Sequence, residues 1–76
     1  MAKNTAPVLS HRQATAAVDE WNAAHPVGTP IAVTQDDGSV VETTTRSEAW
    51  CLGHGEPVVK YAGRAGCYLL SRVRAL

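Results

Sequence analysis

Two cysteines and three histidines are the side chains of this sequence best suited to bind a metal. Cys51 and His54 are three positions apart. Cys67, with either His25 or His11, could complete a tetrahedral set of thiolate and imidazole ligands, which zinc prefers. A strong zinc signature has two close ligand pairs, whereas here one pair is close and the other ligands come from distant positions. We therefore predict neither a metal site nor a cofactor.

Catalytic patterns are also weak. A nucleophile and base made from Cys51 and His54 would have no orienting third group or oxyanion-hole motif nearby. The acidic pairs at 19–20 and 36–37 have simpler interpretations as an exposed helix face and a turn. The glycines form no phosphate-binding loop before a helix, and no serine lies in a nucleophile-elbow pattern. The sequence therefore predicts a protein that is not an enzyme.

The distribution of charge is more informative than its sum, which is zero. All seven acidic side chains lie within residues 13–56, where Arg46 is their one basic counterpart. Residues 57–76 contain no acid and four basic side chains, which are Lys60, Arg64, Arg72 and Arg74. We treat these four as a candidate basic patch for an acidic protein or a nucleic acid. Attraction between the two halves of the chain, or ordinary solvated positions, remains the alternative.

The length of 76 residues allows one small domain, predicted here over residues 9–76 after a flexible tail at 1–8. No apolar run approaches the roughly 18 residues that span a bilayer, and the first ten residues lack the apolar centre of a signal peptide. We expect a soluble cytoplasmic protein that has no contact with a membrane. In that compartment both cysteines are expected to be free. The oligomeric state is left open.

One helix must precede the rest of the fold. Ser10 and Gln13 form the pattern of a capping box. The apolar residues that follow recur at the spacing of one helical face, and they are Ala14, Ala17, Val18 and Trp21. Pro26 disfavours helical geometry at the residue before it. The pattern predicts a helix over His11–Ala24.

The next segment predicts a hairpin with a defined register. Residues 29–35 and 39–45 are rich in Val, Ile and Thr and flank a turn at 36–38. A three-residue loop with Gly38 at positive φ gives one consistently less polar face. That loop pairs Val33 with Val41 and Ile31 with Thr43.

The second half of the chain predicts a short helix over residues 45–53 and then a second hairpin. Its strands are predicted at 57–62 and 67–74, with Tyr61 opposite Tyr68 and Val59 opposite Leu70. Both tyrosines are expected in the core rather than on a surface where bases could stack. The fold class is therefore α+β: an N-terminal helix and four antiparallel strands in two hairpins, separated by a short helical turn. They form a two-layer sheet or a small, partly closed barrel.

Five stretches between residues 28 and 73 resemble small proteins encoded by bacteriophages and prophages. The stretches are GTPIAV, DDG, TRSEAWCLG, PVVKYAG and GCYLL. The resemblance implies a compact accessory protein that acts by binding, and it assigns no catalytic residue. Cys51 and His54 depart from the glycine-rich and apolar character expected there. We expect a non-enzymatic binding module that contacts a host or phage protein. The alternative is nucleic-acid binding through the basic C-terminal hairpin.

Overall fold

The computed structural model describes residues 10–53 and 55–76. The predicted tail at 1–8 and His54 lie outside the described residues. The elements are α1 (His11–Ala24), β1 (Pro30–Thr34), β2 (Val40–Thr44), β3 (Trp50–Cys51), β4 (Pro57–Val59), β5 (Tyr68–Leu69), a 3-10 helix (Leu70–Arg72) and β6 (Val73–Ala75). The α+β class and the helix that precedes antiparallel strands are confirmed.

Helix α1 begins and ends where the sequence predicts. The Ser10 hydroxyl accepts a hydrogen bond from the Gln13 amide at 3.1 Å, and the Gln13 side chain accepts one from the Ser10 amide at 3.0 Å. These two bonds satisfy amides that have no partner inside the helix. His25 is already extended, with φ of −135°, as expected for a residue before Pro26.

The hairpin of β1 and β2 has the predicted turn. The Gly38 amide donates to the Gln35 carbonyl at 2.9 Å, and Gly38 has a φ of +89°. The register is also confirmed, since the paired residues are Val33 with Val41 and Ile31 with Thr43. A turn that needs glycine at one position leaves the strands little freedom to shift.

The predicted short helix over residues 45–53 is wrong, because this segment contains strand β3. The Asn22 side chain of α1 accepts a hydrogen bond from the Ala49 amide at 2.8 Å and donates one to the Ala49 carbonyl at 3.0 Å. The side-chain amide of Asn22 thus bonds to both backbone polar groups of Ala49, as a neighbouring strand would. Trp50 then pairs with Val58 of β4. Tertiary contacts override a helical preference that is weak at this length.

The predicted C-terminal hairpin is only partly correct. Val59 pairs with Tyr68 instead of Leu70, a shift of two residues in register. The predicted strand over 67–74 is interrupted, because β5 ends after two residues and the 3-10 helix follows. The chain then continues as β6, in which Val73 pairs with Val33 of β1.

This interruption has a physical reason in the core. Leu70 is buried with Val18 and Val59, and Val73 packs both against that cluster and against a second one that contains Ile31. Both side chains gain burial when the chain bends between them, and burial of a large aliphatic side chain is worth about 1.5–3 kcal/mol. In a straight strand, Leu70 and Val73 would project from opposite faces of a single sheet.

Two three-stranded sheets therefore replace the predicted four-stranded layer or barrel. Their strand orders are β2-β1-β6 and β3-β4-β5. An isolated bridge between Thr45 and Tyr61 joins them. Thr45 is 3% exposed, and its carbonyl and hydroxyl oxygens each accept a hydrogen bond from the Gly28 amide at 3.0 Å. Thr45 thus links the end of the first hairpin to the turn that leaves α1.

The core has two clusters of buried residues that share neighbours. The first cluster is Val18, Ala49, Val59 and Leu70, and the second is Ile31, Val33, Tyr61 and Tyr68. Trp21 and Val73 pack against both clusters. Outside these clusters, the large apolar side chains of Val41, Leu52 and Leu69 are exposed. They lie on or beside edge strands, where one flank has no neighbouring strand.

In the described part of the chain, no helix combines the length and the apolar character that crossing a membrane requires.

Candidate binding site

Two of the four predicted basic residues line the same cavity. It has a volume of about 400 Å³ and is lined by Thr34, Ser71, Arg72, Val73 and Arg74. The cavity lies where the 3-10 helix leads into β6. Its lining residues include two arginines, a threonine and a serine, and none of them is acidic. Guanidinium groups bind planar carboxylates and phosphates with paired hydrogen bonds, so this cavity suits an anionic group.

Arg74 reaches this cavity because β6 pairs with β1. Ala32 lies opposite Arg74 on one side and opposite Glu42 of β2 on the other. Adjacent strands are about 4.8 Å apart, so Arg74 and Glu42 project from strands separated by about 10 Å. Arg74 is exposed, and no salt bridge within the described residues involves it. Its charge is therefore available to a ligand.

Arg72 is partly committed to the protein itself. Its Nη1 lies 3.5 Å from the Asp36 carboxylate and 3.3 Å from the Gln35 carbonyl oxygen. The Arg72 side chain is 39% exposed and that of Asp36 is 87% exposed. An ion pair this open to water contributes about 1 kcal/mol or less, so it positions Arg72 more than it neutralises it.

Tyr68 connects the core to this ion pair. Its hydroxyl donates to the Asp36 carboxylate at 2.9 Å and lies 3.3 Å from the Thr34 carbonyl oxygen. Burial of the phenol raises the pKa of Tyr68, and the hydrogen bond to Asp36 and its negative charge raise that pKa further. The neutral phenol therefore persists as a donor that holds Asp36 beside Arg72.

Arg64, the third predicted residue, has a different role. Its guanidinium carbon lies 4.6 Å from the centroid of the Tyr68 ring, at the distance of a cation–π contact. Its carbonyl accepts a hydrogen bond from the Arg46 guanidinium at 3.0 Å. Arg64 covers Tyr68 and does not line the cavity.

Lys60, the fourth predicted residue, also lies outside the cavity. Its backbone amide donates to the Ser47 hydroxyl at 3.1 Å, and its carbonyl accepts from the Arg46 amide at 2.9 Å. These bonds attach β4 to the segment before β3. The predicted basic patch thus divides into the cavity residues Arg72 and Arg74 and two residues elsewhere.

Sequence reasoning missed three residues of this site: Thr34, Asp36 and Ser71. Ser71 directly precedes Arg72 in the sequence, and this adjacency was the available signal. Thr34 and Asp36 come from the first hairpin, more than thirty residues earlier in the chain. No local pattern brings them to Arg72, because β6 joins the first sheet through a long-range pairing.

The potential metal ligands do not form a cluster in the part of the chain that the structure describes. Cys51 and Cys67 are free and half-buried. His54 lies outside the described residues. Among the described residues, no group of three or more His, Cys, Asp or Glu side chains could hold a metal ion.

No protein-family model matches this sequence, and neither the curated proteins nor the solved structures include a significant match.

Proposed function

We propose that this protein is a small non-enzymatic binding module that recognises an acidic protein partner through the surface around Arg72 and Arg74. One observation carries the proposal: Arg72 and Arg74 line the same cavity, together with Thr34 and Ser71 and with no acidic residue. A carboxylate in this cavity could accept hydrogen bonds from a guanidinium group and a hydroxyl together. The resemblance to small phage and prophage proteins supports a host or phage protein as the partner.

Nucleic-acid binding is the second candidate, because the same two guanidinium groups would also bind phosphates. The aromatic side chains favour the protein partner. Tyr61 is 4% exposed and Tyr68 is 9% exposed, and their rings meet edge to face at 6.0 Å. Arg64 covers one face of Tyr68. Single-stranded nucleic acids bind strongly where bases stack on exposed rings, and these tyrosines provide no such surface.

The proposed setting is the cytoplasm. Its support is the free state of Cys51 and Cys67, which fits a compartment that keeps thiols reduced.

The test compares a glutamate-rich peptide with a single-stranded oligothymidylate of about 20 nucleotides. Titrations of each into the protein, at about 50 and about 200 mM salt, measure the affinity and its salt dependence. We expect the peptide to bind more tightly than the oligonucleotide. Arg74→Glu should weaken peptide binding by about tenfold or more, because it replaces attraction with repulsion at the cavity.

Arg12→Glu is the matched control, since it makes the same change of net charge on the exposed face of α1. It should change peptide affinity by less than about twofold, because Arg12 does not line the cavity and salt screens exposed charges. Equal losses in both variants would show that only net charge matters, and the proposed surface would be wrong. Tighter oligonucleotide binding with a steep salt dependence would favour the second candidate.

A further inference from the structure

The first sheet, β2-β1-β6, has two edges that carry opposite charge. Glu42 lies on β2 and Arg74 on β6, on either side of Ala32. An acidic ligand would be repelled at the first edge and attracted at the second. The two edges therefore differ in the kind of chain that each can accept.

The hydrogen bonds of β6 show which of its backbone groups face outward. The Leu76 amide donates to the Pro30 carbonyl of β1 at 3.0 Å. Backbone groups in an antiparallel strand alternate in direction, so those of Arg74 also face β1, and those of Val73 and Ala75 face away from it. The Val73 amide donates to the Leu70 carbonyl. Among the described residues, the Val73 carbonyl and both backbone groups of Ala75 have no partner.

The edge of β2 is less available to a further strand. The Thr44 carbonyl already accepts a hydrogen bond from the Ala62 amide at 2.9 Å, and the Thr43 hydroxyl donates to the Ala62 carbonyl at 2.8 Å. These bonds cover one end of β2 with the segment between β4 and β5. Glu42 stands on the part that stays open, and a charged residue on an edge strand opposes pairing with further chains.

The cavity adds side-chain recognition to the open edge of β6. Arg72 and Arg74 are two residues apart, and both line the cavity at the start of β6. In an extended segment, residues i and i+2 lie on one face about 6.6 Å apart. A segment with carboxylates at i and i+2 could therefore oppose both guanidinium groups. Its backbone could meanwhile bond to Val73 and Ala75.

From this geometry we propose that an acidic protein segment binds in extended conformation along the outer edge of β6, as a fourth strand of the first sheet. Its alternate carboxylates face Arg72 and Arg74. The inference rests on the proposed function and adds the binding mode and the sequence pattern of the ligand. Binding of this kind takes its affinity from main-chain hydrogen bonds and its specificity from alternate side chains.

The test uses the full chain and a short peptide in which glutamate alternates with threonine. Three further peptides are compared: one N-methylated at the amides that would face β6, one with the same composition but contiguous glutamates, and one with lysine in place of glutamate. Affinity comes from titrations followed by nuclear magnetic resonance. Hydrogen exchange of the Ala75 amide reports whether the edge becomes paired.

We expect the alternating peptide to bind and to slow exchange of the Ala75 amide by about fivefold or more. N-methylation should weaken binding by about tenfold, because it removes the donors of the new ladder. The peptide with contiguous glutamates should bind less tightly, and the lysine peptide should not bind. Ala75→Pro removes an outward-facing amide while Arg74 keeps its bonds to β1. This variant should therefore also bind the alternating peptide about tenfold less tightly.

The outcomes separate the two proposals. If the N-methylated and alternating peptides bind equally well while Arg74→Glu abolishes binding, strand addition is overturned and the proposed function stands. If Arg74→Glu leaves peptide binding unchanged, both are overturned. If an oligothymidylate displaces the peptide and binds more tightly, the site is a nucleic-acid site and the peptide proposal is overturned. Thermal melting of each variant confirms that it is folded.

Discussion

The two hairpins of this protein look alike in sequence but are stabilised in different ways. The β1–β2 hairpin pairs five residues on each strand across one tight turn, and its register follows from that turn. The β4–β5 hairpin pairs only two residues on each strand, and its strands are short because other parts of the chain compete for their ends. A strong local turn sets a register by itself, whereas a looser loop leaves the register to tertiary packing.

The largest effect we expect comes from removing the link between α1 and the second sheet. Asn22→Ala removes both hydrogen bonds to Ala49, a residue that is 5% exposed, and leaves its backbone groups without partners. The free energy of unfolding should fall by about 2–4 kcal/mol. Chemical denaturation measures the loss, and hydrogen exchange should show faster opening in β3 and β4 than in β1 and β2.

Glu20→Ala is the control for this substitution, since Glu20 is exposed on the same helix. It should change stability by about 0.5 kcal/mol or less. If Asn22→Ala accelerates exchange equally in both sheets, the second sheet does not depend on α1 more than the first sheet does.

The next largest effect concerns the turn of the first hairpin. Gly38→Ala places a side chain at a φ of +89°, where no neighbouring atom lies within 4 Å of the added carbon. The cost is therefore backbone strain alone, about 1–2 kcal/mol. Thermal denaturation should show this loss. Gly38→Asn should recover part of it, because asparagine tolerates this region better than alanine. Equal stability of the alanine and glycine proteins would contradict the role of this turn.

A smaller loss of stability is expected at alkaline pH, from the hydrogen bond between Tyr68 and Asp36 that joins the two hairpins. The pKa of Tyr68 is raised from its ordinary value of 10.0, chiefly by burial. The stabilisation that depends on its neutral phenol is complete below that ordinary value and is lost as pH rises through the higher folded-state pKa. Unfolding measured between about pH 9 and 12 should show this decline. Tyr68→Phe should make the decline shallower, and an unchanged slope would contradict the assignment.

The smallest effect that we expect concerns the hydrogen bonds within the β1–β2 turn. The Ser39 hydroxyl and amide donate to the Asp37 carboxylate at 2.7 and 2.9 Å, and these bonds lower the pKa of Asp37 below 3.8, the hydroxyl contributing most. Their contribution to stability is present above that ordinary value and is lost as pH falls through the lowered pKa. Ser39→Ala should raise the pKa of Asp37 towards its ordinary value. Titration of the carboxyl carbon by nuclear magnetic resonance measures the shift, and Thr15→Ala, at an exposed position of α1, should leave it unchanged.

In the candidate site, as in the fold, some features could be predicted from the sequence and others depended on the tertiary structure. Arg72 and Arg74 were predictable as candidate binding residues, because they are two close cations in a segment without acids. Arg64 and Lys60 share that segment, but the structure directs Arg64 onto the Tyr68 ring and uses the Lys60 backbone to attach β4. Charge counts along a chain do not distinguish a side chain that faces a cavity from one that covers the core.

The sequence by itself determined the capped helix α1, the β1–β2 turn and its register, and the charge of the C-terminal segment. Each depends on residues within about one hairpin of one another, where backbone preference and hydrogen bonding act directly. The tertiary structure alone decided that residues 45–53 contain a strand, that the last hairpin breaks at Leu70, and that β6 pairs with β1. These outcomes depend on which distant partners bury Leu70 and Val73 and bond to Ala49, and no local pattern contains that information.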